Sequence, residues 1–326
     1  MKQWLKILIT LVAIGLIVAG ILWWIPFKEL SKGQLAIIGV SNSGPSVYLL
    51  DPDFRSWHRL PTNNLYPRHI AWSPDGQNIA FTYSASNDND PNNVLGVAIL
   101  SLNTMQTKKV YIANSNETLN VVTWSLDGQS LIFDIYKNNV LTAFQWLDIV
   151  TGKLRSIPFP KNIQPQYFGI NHLEVAQNND YIIGGSDGIF IASPNLENLQ
   201  LVTEVGDLDG FFLTPDGKEI TTPCNQSPWC NYDIKTNQLT NFYPGDLSDY
   251  GIFRAGNWSH DEEDIVYLSG GGGEGDPQYI RLLDTRINRT YTIYKFPHYT
   301  FNPLDILVGR SPFNVLGVSQ LAWYSK

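Results

Sequence analysis

Short apolar runs, separated by clusters of turn residues, fill the chain from about residue 34 onward. The breaks between the runs are rich in Gly, Pro, Asn and Asp, and the runs do not show the spacing of an amphipathic helix. This pattern is typical of strands that are joined by tight turns. We therefore predict an all-β domain over residues 34–326.

One hairpin sequence recurs along this domain, which is the mark of a repeat fold. Its clearest form is "AWSPDGQNIAF" at 71–81. The further copies lie at 123–133 ("TWSLDGQSLIF"), 212–222 ("FLTPDGKEITT") and 257–267 ("NWSHDEEDIVY"), with weaker ones at 174–184 and 309–318. Pro suits the second position of such a turn, and Gly suits the fourth, where φ is positive. Glu262 stands in that glycine position, so we expect its turn to be distorted or longer.

The repeat consists of turn residues and core residues. Its defining positions are Trp72, Asp75, Gly76, Trp124, Asp127, Gly128, Asp216, Gly217 and Trp258. We interpret the aspartates and glycines as turn residues, and the tryptophans as core residues that pack between repeats. Two more apolar runs follow each hairpin, so the unit is a four-stranded antiparallel meander of about 50 residues, the size of a propeller blade.

The domain length predicts a six-bladed β-propeller that is closed by its own C-terminus. Three runs precede the first hairpin and lack an inner strand. The segment "SQLAWYSK" at 319–326 resembles "RHIAWSPD" and is one candidate for that strand, and a strand ending at Arg310 is the rival. Either choice pairs the two ends of the domain and removes a free sheet edge.

The "WSPDG" hairpins resemble the WD40-like repeats of TolB-type six-bladed β-propellers, and the resemblance covers about residues 34–326. It implies a fold and not an activity. Similar propellers occur in periplasmic interaction scaffolds, in the non-catalytic propellers of prolyl-oligopeptidase-like enzymes, and in some lyases that carry a metal and histidines in the channel.

The N-terminus predicts a membrane anchor. Residues 7–27 are almost wholly apolar and reach roughly 30 Å as a helix, which is enough to span a bilayer. Residues 1–6 carry two lysines and would stay in the cytoplasm, 28–33 would be a linker, and the propeller would be periplasmic or extracellular. The alternative is a cleaved signal peptide, whose apolar region is usually shorter, at about 7–15 residues.

Charge and cysteine content narrow the possible partners. The formal net charge is −8, and no cluster of Lys and Arg is present, so nucleic acid is excluded as an expected partner. Cys224 and Cys230 are close in sequence, and in an extracytoplasmic domain they predict a local disulfide.

No catalytic or cofactor motif stands out. "GGSDG" at 184–188 matches a nucleophile elbow but lies between two apolar runs, so it predicts a hairpin. His69 and His260 lie near equivalent blade positions, yet no metal-ligand spacing supports a metal site. Trp229 is the best candidate for an exposed contact, and Glu274 and Asp276 lie in a glycine-rich loop that could meet a cation or a basic partner.

We therefore expect a membrane-anchored, non-catalytic scaffold without a cofactor. It would bind a protein, a peptide or a cell-envelope ligand. The alternative is a propeller lyase or hydrolase that acts on a polysaccharide or a small lactone, and it would need histidines and carboxylates that converge in the channel.

Overall fold

A computed structural model provides the structure. It describes residues 9–18, 33–41, 44–51, 56–86, 94–159, 170–185, 188–203, 211–224, 227–236, 238–243, 253–259, 262–270, 278–287, 289–296 and 317–325. Within these ranges the strands form six antiparallel sheets, which are the six blades of a β-propeller.

The blades follow one another along the chain. Blade 1 begins with β1 (Gly33–Ser41), β2 (Gly44–Asp51) and β3 (Ser56–Arg59). Blade 2 contains β4 (Tyr66–Trp72), β5 (Asn78–Ser84), β6 (Val94–Ser101) and β7 (Gln106–Ile112). Blade 3 contains β8 (Glu117–Thr118), β9 (Val122–Trp124), β10 (Ser130–Lys137), β11 (Val140–Asp148) and β12 (Leu154–Pro158).

The remaining three blades have four strands each. Blade 4 contains β13 (Ile170–Val175), β14 (Tyr181–Gly185), β15 (Gly188–Ala192) and β16 (Gln200–Thr203). Blade 5 contains β17 (Phe212–Leu213), β18 (Glu219–Cys224), β19 (Ser227–Asp233) and β20 (Gln238–Tyr243). Blade 6 contains β21 (Phe253–Trp258), β22 (Asp264–Gly270), β23 (Gln278–Asp284) and β24 (Arg289–Lys295).

The C-terminal strand closes the ring. β25 (Gly317–Ser325) pairs with β1 and becomes the inner strand of blade 1. The prediction that residues 319–326 supply this strand is confirmed for the described part of that segment. The rival strand ending at Arg310 lies outside the described residues.

Hydrophobic clusters fill the interfaces between neighbouring blades. One such cluster, of Phe212, Trp229, Trp258, Ile265, Tyr267 and Leu283, joins blades 5 and 6. Five further clusters join the remaining pairs of neighbours, including blade 6 with blade 1. The core is therefore a ring of inter-blade layers, because each sheet buries both of its faces.

The repeated tryptophans also make directional bonds between blades. The indole Nε1 of Trp72 donates to the carbonyl oxygen of Ala322 at 3.0 Å, and that of Trp124 donates to Ala71 at 3.1 Å. Trp258 donates to the hydroxyl of Thr221 at 2.6 Å. Each bond crosses to the preceding blade, so the tryptophan fixes the spacing of two blades as well as filling the gap between them.

The aspartates of the repeat hold the hairpin turns. The hydroxyl of Ser73 donates to Asp75 at 2.5 Å, and the backbone N–H of Gln77 donates to the same oxygen at 3.0 Å. Ser125 with Asp127 and Thr214 with Asp216 repeat this arrangement. The hydrogen bond from its serine is the main reason that the pKa of Asp75 lies below its ordinary value. These acids are turn residues.

The prediction of a distorted turn at Glu262 is wrong. Glu262 adopts φ 59°, beside 65° for Gly76 and 68° for Gly128, and its N–H donates to Ser259 at 3.1 Å as in the other copies. The chain accepts a left-handed glutamate because the flanking strands fix the turn, and the glutamate bears the steric cost, roughly 1–2 kcal/mol.

Replacing Glu262 with glycine should therefore stabilise the protein. We expect the free energy of unfolding to rise by about 0.5–1 kcal/mol, since glycine removes the left-handed strain but adds unfolded-chain entropy. The matched variant is Gly128→Ala. Its added Cβ would lie 3.5 Å from Pro74, an ordinary contact distance, so the variant tests the cost of a positive φ without a steric clash. Urea titration should show a lower free energy of unfolding for Gly128→Ala and a higher one for Glu262→Gly. A fall for Glu262→Gly would contradict the argument.

Blade 3 departs from four strands because its inner strand is broken. Between β8 and β9 the chain bulges, and one carboxylate oxygen of Asp134 accepts the N–H groups of Asn120 and Val121 at 2.8 and 3.0 Å. A buried side chain thus replaces the missing backbone partners of the bulge.

The described part of the N-terminus is a helix over residues 9–18, in which every residue is exposed. Of the predicted membrane segment 7–27, the other residues lie outside the described ranges. No helix among the described residues is long and apolar enough to cross a membrane.

Candidate functional site in the centre of the ring

A cavity of about 210 Å³ lies where the inner strands meet. Its wall comes from β4, β9, β13, β21 and β25, which belong to five of the six blades. In these five blades the residue just before the last position of the inner strand's repeat lines the cavity: Ala71, Thr123, Glu174, Asn257 and Ala322. The repeat thus places equivalent positions of five inner strands around the same cavity.

Two histidines lie in this wall. His69 follows a bulge in β4, and His172 lies on β13, with their ring centroids 5.9 Å apart and the rings edge to face. His69 is 5% exposed. The N–H of Val122 donates to its Nδ1 at 3.5 Å, and its Nε2 is buried with no hydrogen-bond partner among the described residues. Unsatisfied buried polar atoms are rare, and each one calls for a physical explanation, of which a functional role is one.

Burial keeps His69 neutral. Loss of hydration, together with the neighbouring His172, lowers the pKa of His69 to about 3. The unfolded chain takes up a proton below about pH 6.5, but the folded ring does not take it up until much lower pH. The neutral His69 therefore lowers the free energy of unfolding nowhere above pH 6.5. Through this residue the protein loses stability as the pH drops from 6.5 toward 3.

His69→Gln should remove part of this acid sensitivity. Between pH 7.5 and pH 5 we expect the wild type to lose up to about 2 kcal/mol through His69, and the variant to lose correspondingly less. The measurement is urea unfolding at both pH values. The control is His58→Gln, since His58 is exposed. Equal losses in wild type and His69→Gln would show that His69 is not the responsible group.

Glu174 is the carboxylate of the cavity. His172 and Glu174 are two residues apart on β13 and so share a face. Nε2 of His172 lies 2.9 Å from Oε1 of Glu174, and the N–H of Leu213 donates to Oε2 at 3.0 Å. Phe211 packs edge-on against the imidazole at a centroid distance of 4.6 Å. The carboxylate is thus held in a fixed position from two sides.

The interpretation of Trp229 as an exposed contact is wrong. Its side chain is 0% exposed and packs against Phe212 and Tyr267, with centroids 4.9 and 5.5 Å away. The residue lies on β19 and points into the layer between blades 5 and 6. A bulky apolar ring in a middle strand is buried by the neighbouring blade.

The other expected site residues fall into two groups. Glu274, Asp276 and His260 lie outside the described residues. Cys230 is buried and disulfide-bonded, and since the side chain of Cys224 lies outside the described part, the pairing of the two remains a prediction.

Sequence reasoning missed His172 and Glu174, although the repeat contained the signal. His172 stands three residues before Val175, as His69 stands three before Trp72. The copy at 174–184 has lost its tryptophan, which concealed that equivalence. Asn257 was not singled out from the sequence as a candidate site residue, although it lines the cavity.

No protein-family model matches the sequence, and no curated protein matches it significantly. Solved structures do resemble the fold. TolB from Acinetobacter baumannii is 17% identical over 90% of this chain and 67% of that chain, with a TM-score of 0.62. At this identity the likeness concerns the six-bladed, TolB-like propeller fold.

Two oligogalacturonate lyases are also similar. One, in complex with manganese, is 14% identical over 81% of this chain and 74% of that chain, with a TM-score of 0.52. The other, from Vibrio parahaemolyticus, is 12% identical over 79% and 73%, with a TM-score of 0.51. One fold thus serves proteins of different kinds.

Proposed function

We propose that the chain is a non-catalytic binding scaffold whose central cavity takes part of a protein, a peptide or a cell-envelope ligand. The observation that carries this proposal is the cavity itself, whose wall holds a fixed carboxylate and a buried imidazole with no partner for its Nε2 in the described part of the chain. The polar residues of the hairpins are, by contrast, engaged in their own turns. At roughly 30 Å³ per water, the space holds about seven waters, which suits one side chain or chain end.

A peptide selection tests the proposal. A random-peptide phage library is selected on the full chain in detergent micelles, and the enriched peptides are then measured against cavity-filling variants. We expect Thr123→Phe and Ala71→Phe to weaken binding at least tenfold, while Thr151→Phe on an exposed turn leaves binding unchanged. Melting temperatures check that each variant folds. Failure to enrich peptides, or binding that ignores both cavity variants, would refute the proposal.

Membrane anchoring by residues 7–27 is part of the same proposal. The described helical segment exposes large apolar side chains on all sides, for example Leu16 at 70% and Ile9 at 60%. A helix that is apolar all round is stable in a lipid or protein environment rather than in water. The propeller would then lie outside the cytoplasm. The protein should remain in membranes after alkaline carbonate extraction, and release in soluble form would favour a cleaved signal.

A lyase or hydrolase is the second candidate, because the cavity gathers two histidines and an acid. The donor set fits a metal poorly. A histidine ligand normally donates its other ring N–H to an acceptor, whereas Nδ1 of His69 accepts a backbone N–H, which leaves the proton on Nε2. Among the described residues, no three His, Cys, Asp or Glu side chains converge in a way that could hold a metal.

Titration with manganese decides between the two functions. Micromolar Mn²⁺ binding that is lost in His172→Gln, together with cleavage of oligogalacturonate, would favour the enzyme. The scaffold proposal expects neither.

A further inference from the structure

The charged and neutral groups that line the cavity indicate the chemical class of its ligand. Its ionisable wall residues are His69, His172 and Glu174, and no lysine or arginine is among the residues that line it in the described part of the chain. Burial keeps His69 neutral, and Glu174 is the acidic side chain of the wall, with its Oε1 2.9 Å from Nε2 of His172. The whole chain has a formal charge of −8, so its field also favours a cation.

Glu174 can accept further hydrogen bonds. Its side chain is 25% exposed, and each oxygen accepts one hydrogen bond within the protein. A carboxylate has about four lone-pair sites, so roughly two remain for a ligand. His172 and the N–H of Leu213 hold it in place, so little side-chain freedom is lost when a ligand arrives.

Resting on the proposed scaffold function, we infer that the group bound in the cavity is a cationic side chain of a peptide, a lysine ammonium or an arginine guanidinium, paired with Glu174. The cavity volume suits a single extended side chain. Its apolar walls, among them Ala71, Val122 and Trp124, would cover the methylene stem of such a residue.

Capped tripeptides provide the probes. Acetyl-Gly-Lys-Gly-amide, its norleucine analogue and its glutamate analogue are titrated into the full chain at pH 8, where ordinary histidines are neutral. The readout is the NMR resonance of the ring of His172 in histidine-labelled protein. We expect saturable shifts with the lysine peptide, at least tenfold weaker binding of the norleucine peptide, and weaker lysine binding at 0.5 M salt.

Variants of Glu174 separate charge from fold. Glu174→Gln keeps an acceptor for Leu213 but removes the charge, and it should weaken lysine-peptide binding at least tenfold. Glu174→Asp should restore part of the affinity. Glu197→Gln, in an exposed turn, is the matched control and should bind like the wild type.

The outcomes distinguish this inference from the scaffold proposal. Equal binding of the lysine and norleucine peptides, or no effect of Glu174→Gln, would overturn the inference of a cationic ligand. The scaffold proposal would survive that result if selected peptides still bind in the cavity. Absence of binding by all three probes, together with an empty peptide selection, would overturn both.

Discussion

Deleting residues 317–326 should abolish cooperative unfolding of the propeller. β25 pairs with β1 from Gly33↔Ser325 to Val40↔Gly317, and its Ala322 accepts the indole N–H of Trp72. Removal leaves β1 as an open edge whose backbone groups lose their partners. It also uncovers buried residues such as Ala36 and Ile38, both 0% exposed in the closed ring. We expect a loss comparable with the whole stability of a domain, about 5–15 kcal/mol.

Thermal unfolding followed by circular dichroism measures this effect. The full chain should melt in one transition, whereas the truncated chain should melt broadly or aggregate at its open edge. A chain lacking only Lys326 is the control. A synthetic peptide of residues 315–326, added in excess, should restore part of the transition. A truncated protein with an unchanged melting temperature would show that the ring does not depend on its closing strand.

The propeller could be predicted from the sequence because its repeating hairpins depend on local turn residues. The pattern of Ser or Thr, Asp and Gly recurs since each hairpin needs the same hydrogen bonds and the same positive φ, and both are properties of nearby residues. Closure by 319–326 was predictable for the same reason, because the closing strand repeats "LAW" where an inner strand has "IAW".

The cavity was harder to predict because its residues meet only through closure of the ring. His69 and His172 lie 103 positions apart in the chain (172 − 69 = 103), and they belong to non-adjacent blades. Their equivalence was visible in the repeat frame, but the local sequence around His172 has lost the tryptophan that marks the frame. The burial of Trp229 could not be predicted for another reason. The segment around the two cysteines looks like a loop in the sequence, but it belongs to two paired strands.

Trp229→Ala should cost about 3–5 kcal/mol of stability, as expected for truncating a fully buried tryptophan. The ring fills the layer between blades 5 and 6, so its loss leaves a cavity bordered by Phe212 and Tyr267. The measurement is urea unfolding under non-reducing conditions, which keeps the disulfide of Cys230 intact. Trp146→Ala should cost less, because Trp146 is only partly buried.

The same variant separates two roles for Trp229. A surface contact residue would lose ligand binding on truncation and keep its stability, whereas a core residue loses stability and changes binding only through the fold. Trp229→Phe refines the distinction, since it retains an aromatic contact with Phe212 and should recover much of the lost stability. Because blades 5 and 6 also meet through Trp258 and Thr221, the weakened layer should loosen without opening the ring. Unchanged stability in Trp229→Ala would therefore contradict the assignment of Trp229 to the inter-blade core and would favour a surface role.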